Sequence, residues 1–242
     1  MRSAISQGDM VYGTGHRSPF RSSLHRSQDG ISVVFLLILL TALLGAPACS
    51  RAQNSGPQRD AWQRPGEVLD ELGIHAGSAV ADVGCGRGYF TFKLAERVGP
   101  QGKVYAEDID KDVLESIRKE AKAKDMTQVS AIAGTEDDVS LPPSSLDVVL
   151  AVNTFHEWQH YDQMLQGVYK ALKPGGLFGL IDRSAVPGRP RSYYYDHHRM
   201  PEATERDDVT HSGFRFLREE RGFTRPDDHS EFYFLVFEKP SL

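Results

Sequence analysis

This chain predicts an α/β fold with a doubly wound, mostly parallel seven-stranded sheet and an antiparallel C-terminal edge strand, on three observations. Strand-like and helix-like segments alternate across residues 60–242, the pattern of a parallel sheet covered by helices on both faces. An apolar strand runs straight into a turn with three glycines and then a helix within residues 80–90. Two strand-like segments close the chain, joined by the turn Arg225-Pro226-Asp227-Asp228, and such a pair adds an antiparallel edge to a parallel sheet.

The elements follow in order. A leading helix is expected over 65–72, with Pro65 at its start, then a strand at 79–83 and a helix at 89–98. In that helix Phe90, Leu94, Ala95 and Val98 share one face and Gly99 is the stop signal. A strand at 103–108, a helix at 111–122 and strands at 129–133 and 146–153 come next. A helix over 161–172 ends at Lys173-Pro174-Gly175-Gly176, ahead of a strand at 177–182. A helix within 201–211, a strand from Phe214 and a last strand at 232–237 complete the count.

Ahead of this domain the chain reads differently. Residues 1–30 are polar, carry Arg2, Arg17, Arg21 and Arg26, and lack a sustained apolar period. Residues 31–46 (ISVVFLLILLTALLGA) are short for a membrane span and suit the apolar region of a signal, with the small-residue site Ala46-Pro47-Ala48 after it. The expectation is an exported or membrane-associated protein, by a signal cut after Ala48 or by acylation of Cys49; an uncut anchor, and a cytoplasmic chain with a misassigned start, stay open. Residues 49–59 form a polar linker, so the division is 1–59 and 60–242.

Composition sets bounds on function. The chain has 242 residues, 40% of them hydrophobic, enough for the core of one domain. A net charge of -5 and no basic stripe interleaved with aromatics argue against nucleic acid as a partner. Two cysteines, Cys49 and Cys85, exclude a disulfide framework or a cysteine zinc site. The cluster Tyr193-Tyr194-Tyr195-Asp196-His197-His198 is expected to be a surface loop without metal, because adjacent histidines point different ways and no distant ligand pair is evident.

The chemistry is concentrated in Val80-Ala81-Asp82-Val83-Gly84-Cys85-Gly86-Arg87-Gly88-Tyr89-Phe90. Glycines there let backbone N–H groups and a helix N-terminus approach a ligand closely. Asp108 ends the second strand, 20 residues after Gly88, where a carboxylate accepts from both hydroxyls of a ribose. The spacing is Gly-x-Gly-x-Gly and lacks the Gly-x-Gly-x-x-Gly of a dinucleotide fold, which disfavours a pyrophosphate ligand.

With these residues, the chain resembles the class I S-adenosylmethionine-dependent methyltransferases, over about residues 60–237. The resemblance continues through Gly134-Thr135-Glu136-Asp137-Asp138, Leu146-Asp147-Val148-Val149 and Leu172-Lys173-Pro174-Gly175-Gly176. It implies a Rossmann-like sheet and S-adenosyl-L-methionine as cofactor, with Gly84, Cys85, Gly86 and Gly88 around the methionine half and Asp108 on the ribose. It implies Ile109 against the adenine and Glu136, Asp137 or Asp138 at its amino group. Asp82 is expected to accept from loop amides and offset the sulfonium charge, its alternative being to fix the turn. Asn153 follows the fourth strand, where it would touch cofactor; His156 is the candidate base, with a capping or packing role as the alternative.

Methyl transfer requires alignment of a nucleophile with an electrophilic carbon and demands no particular side chain. A small-molecule acceptor is expected by analogy. A tethered module that binds the cofactor without turnover, and a nicotinamide-dependent oxidoreductase, are the competing readings.

Overall fold

A computed structural model describes residues 56–241; the expected signal segment and Cys49 lie outside the described residues. The first described element is α1 (Gly56–Gln63), followed by α2 (Pro65–Glu71). Helix α1 begins inside the stretch expected to be linker. Its polar sequence hides one anchor: Trp62 is buried against Phe232, with ring centroids 5.1 Å apart. The Arg59 guanidinium lies 3.7 Å from the centre of the Tyr89 ring, a second attachment to the domain.

The chain then runs β1 (Ala79–Val83), α3 (Tyr89–Val98), β2 (Lys103–Asp108), α4 (Lys111–Ala123), β3 (Val129–Ala133) and β4 (Leu146–Val152). A 3-10 turn, Phe155–Glu157, leads to α5 (Tyr161–Ala171), β5 (Leu172–Arg183), α6 (Arg191–Asp196), α7 (Glu202–His211), β6 (Arg215–Thr224) and β7 (Glu231–Glu238). The seven strands form one sheet in the order β3-β2-β1-β4-β5-β7-β6. The first five are parallel, and β7 pairs antiparallel with β5 and β6.

Burial on both faces explains the strand sequences. Val148, Val149, Leu150 and Ala151 of β4 are all buried, which needs a continuous apolar run in place of alternation. Val80 packs with Leu94 and Val98 on one face, while Ala81 and Val83 join Leu165 and Val168 on the other. From β1 the chain winds outward through β2 and β3, then returns to lay β4 and β5 on the other side. The crevice at the C-terminal ends of β1 and β4 is therefore the switch point where open α/β sheets bind ligands.

Two local expectations are corrected. The fifth strand starts at Leu172 and not after Gly176: Leu172 pairs with Leu146, and a bulge shifts the ladder to Val148 and Leu177. Gly175, at φ 78°, donates its N–H to Lys239 O, and Lys239 returns one to Gly176 O, so tertiary pairing extends the strand through the glycines. The expected loop at Tyr193–His198 is largely α6. Tyr194 is buried there, its hydroxyl donating to Val186 O and accepting from Arg189 N.

Candidate active site

At the switch point lies a cavity of about 450 Å³. The turn after β1 forms one wall, with Gly84 at φ 67° and Gly86 at φ 50°, left-handed conformations that glycine adopts without a Cβ penalty. A β-carbon on Gly84 would collide with Thr154, whereas one on Gly86 would meet nothing within 4 Å. Gly86 thus keeps backbone open to a ligand, and Gly84 lets the turn close on the segment after β4.

The ends of β2 and β4 supply the polar groups. Asp108 Oδ2 accepts from Gly86 N at 2.9 Å and Oδ1 from Asp110 N at 3.0 Å. Ile109 beside it is 58% exposed, an apolar surface suited to an adenine ring. Glu136 and Thr135 come from the loop after β3, and Asn153 from the end of β4. Asn153 has φ 56° and donates its N–H to Ile181 O at 2.7 Å, which pins the strand end beside β5. Gly84, Gly86, Asp108, Ile109, Glu136 and Asn153 are thus brought together around the cavity.

The other expected residues sit behind it. Asp82 is buried and accepts from Thr91 Oγ1 at 2.6 Å; burial raises its pKa to about 6 against that hydrogen bond. The acceptors for the loop amides are Glu107 Oε2, 3.3 Å from Gly84 N, and Asp108, not the Asp82 side chain. Cys85 packs with Phe92, Ala106 and Leu114, and burial pushes its thiol pKa up. Gly88 is the N-cap of α3, where a β-carbon would lie 2.6 Å from Ile117 and 2.7 Å from Phe92; its hydrogen serves packing. Asp137 accepts from Thr135 Oγ1 at 2.7 Å outside the cavity, which leaves Glu136 as the acid of that loop on the cavity wall.

Glu107 is the residue that sequence reasoning missed. It is 2% exposed, lines the cavity, and its Oε1 has no hydrogen-bond partner. Burial raises its pKa to about 8, helped by Asp108, Asp82 and Asp138 and opposed by the Gly84 N–H. Asp108 drew attention at the strand end, yet a glutamate one residue back in a core strand is itself a signal, since Glu is rarely buried without a partner.

His156 lies in the turn after β4, next to the end of β5. Its N–H donates to Asp182 Oδ2 at 3.1 Å, and its Nδ1 lies 2.8 Å from Asp182 Oδ1. Both side chains are fully buried. Asp182 as acceptor fixes the proton on Nδ1, which leaves Nε2 with a lone pair and no hydrogen-bond partner. Behind the pair stands Glu205 of α7, fully buried; burial and then the Asp182 charge hold its pKa well above the usual range. In front, Glu157, Trp158 and Tyr195 complete the cavity wall.

The lining tests the cofactor. Asp108, Glu136 and Glu157 line the cavity beside the buried Glu107, and among the described residues no lysine or arginine does. That charge distribution suits a ligand with a sulfonium and an ammonium and opposes a pyrophosphate. Across Asn153 a second recess is lined by Arg59, Arg87 and Arg225, of the sign a carboxylate needs.

Comparison with known proteins agrees. The family profile of a methyltransferase domain matches residues 74–209. A demethylmenaquinone methyltransferase from Listeria welshimeri is 31% identical over 129 residues, covering 52% of this chain and 54% of that protein. The chain spans about half the length of the curated relatives it matches. Among solved structures, a SAM-dependent methyltransferase from Aquifex aeolicus has a TM-score of 0.65 at 23% identity, covering 76% of this chain and 93% of the other. A [4+2]-cyclase has a TM-score of 0.66 at 17% identity, covering 86% and 94%; at that identity the likeness is one of fold alone. The matched domain, the sheet order and the acid-lined glycine turn converge: the chain belongs to the methyltransferase-domain family and has the fold of the class I S-adenosylmethionine-dependent enzymes.

Proposed function

We propose that the protein transfers a methyl group to a small-molecule acceptor held beside Glu157, Trp158 and Tyr195, with His156 receiving the acceptor's proton. The observation that carries this reading is the buried His156–Asp182 pair, whose Nε2 lone pair stands next to the cavity wall. When bound, the cofactor supplies an electrophilic methyl carbon on a sulfonium.

The residues of the chain then divide the work. Gly84 and Gly86 leave a path for the methionine half, and Asp108 accepts from the ribose hydroxyls. Ile109 packs on the adenine, Glu136 accepts from its amino group, and Asn153 contacts the end nearest the methyl. Orientation of this kind lowers a barrier by about 7 to 11 kcal/mol, and a positioned base adds roughly 10²- to 10⁴-fold. Asp182 is a positioning residue: by pairing with Nδ1 it turns Nε2 toward the acceptor.

The names of the relatives support a quinol-like acceptor as the first to try. The test is formation of S-adenosylhomocysteine with reduced naphthoquinols, in the parent and in His156→Gln. The expected result is a fall in kcat of about 10²-fold with the cofactor Kd nearly unchanged. Equal loss of both, or no loss, would return His156 to a packing role.

A further inference from the structure

The fold brings a third group to the His156–Glu157 corner that no sequence spacing reveals. The segment after α6 is tied to the end of β5 by a bridge between Ser184 and Met200, and by the Met200 N–H donating to Arg183 O at 3.0 Å. This tether carries His198 over the 3-10 turn, its ring 5.5 Å from that of His156 and nearly perpendicular to it.

We propose that His156 Nε2, Glu157 Oε1 and His198 Nδ1 form a three-ligand site for a divalent ion of the zinc class. His156 Nε2 lies 3.7 Å from Glu157 Oε1, His198 Nδ1 lies 3.2 Å from the same oxygen, and all three atoms are within 4.8 Å of one another. Ligand atoms at metal distances of about 2.1 Å in a tetrahedral shell are separated by about 3.4 Å. The two shorter separations bracket that value. The third closes by movement of Glu157 and His198, whose side chains are half exposed or more.

An independent observation points to a ligand there. His156 is 2% exposed, its Nε2 has no hydrogen-bond partner, and it faces the other two groups. Its far nitrogen is held by Asp182, the carboxylate–histidine arrangement that orients imidazole ligands and fixes their tautomer. Two imidazoles and one carboxylate suit zinc-like ions over magnesium or calcium, and three protein ligands leave a position open. Glu157 also lines the cofactor cavity, so the open position takes an oxygen of the acceptor. Coordination there lowers the pKa of that oxygen; a coordinated Nε2 has no lone pair left for a proton, so in the ion-bound protein the acceptor's proton leaves to solvent, and His156 is the base only in the ion-free protein.

The site is testable without cofactor or acceptor, so its failure is distinct from failure of the methyl-transfer reading. The full chain, carrying no polyhistidine tag and stripped with a chelator, is titrated with Zn²⁺ by calorimetry and with Co²⁺ by visible absorption. One equivalent is expected to bind, with the intense visible bands of a tetrahedral cobalt site. Glu157→Gln and His198→Ala change exposed side chains and should each weaken binding at least tenfold, with an unchanged thermal unfolding midpoint of the metal-free chains as the check on folding. His197→Ala should bind as the parent does, because that ring stacks on Tyr193 and its Nδ1 pairs with Tyr193 O at 2.7 Å. No stoichiometric binding, unchanged affinity in Glu157→Gln and His198→Ala, or an equal loss in His197→Ala would each overturn the proposal.

Discussion

The carboxyl group of Glu107 lies against the α-carbon of Gly134, so close that a β-carbon on residue 134 would overlap Oε1. The glycine makes room for a buried acid. Gly134→Ala is therefore expected to cost about 1 to 3 kcal/mol, the range for overpacking a tight interior. In Glu107→Ala the same change should cost much less, a coupling that a double-mutant cycle by denaturant unfolding measures.

Glu107 also sets a pH dependence. Its folded pKa of about 8 lies above the ordinary 4.5, so between those values the folded protein holds a proton that the unfolded chain releases. Stability attributable to this group then falls as pH rises from about 4.5 to 8, by up to about 1.4 kcal/mol per unit. Glu107→Gln should flatten that slope in unfolding titrations across this range. Parallel slopes in parent and variant would show that the carboxyl is ionised in the folded protein.

The turn glycines Gly86 and Gly88 should respond differently. Gly86→Ala puts a methyl into open space at φ 50°, a strain of about 1 to 2 kcal/mol, and Gly86→Val adds bulk in the ligand's path. Both are expected to stay folded and lose S-adenosylmethionine binding. Gly88→Ala drives a methyl into Phe92 and Ile117, so it should lower the melting temperature most. Calorimetry and thermal unfolding on the same samples separate the two outcomes.

Asp108→Ala removes the acceptor proposed for two ribose hydroxyls, each worth about 1.5 to 3 kcal/mol to a charged partner. Cofactor affinity should fall more than tenfold in a folded variant. An unchanged dissociation constant would remove Asp108 from the cofactor site.

Trp62 is the apolar anchor of α1, packed on Phe232. Trp62→Ala should destabilise the domain by about 3 to 5 kcal/mol, the range for deleting a large buried aromatic. A change of less than 1 kcal/mol in denaturant unfolding would show that α1 contributes little to the fold.

Local chemistry along the chain was enough to determine the order of the seven strands, the glycine turn and the acid at the end of β2, but not α1 or α6. An apolar run such as Val148 to Ala151 and a turn such as Gly84 to Gly88 owe their form to backbone conformation and hydrophobic periodicity. Tertiary structure decided which of those residues reach the cavity. Gly86 and Gly88 are alike in sequence, but one faces the cavity and the other the packed ends of Ile117 and Phe92. It also decided that Leu172 to Gly176 joins a strand, because its partners come from Leu146 and Lys239. The pairing of His156 with Asp182, 26 residues on, and the arrival of His198 beside Glu157 arise from the adjacency of β4 and β5 in the sheet and from the Ser184–Met200 bridge. Such contacts depend on which strand ends lie side by side, a relationship between distant segments that no local pattern carries.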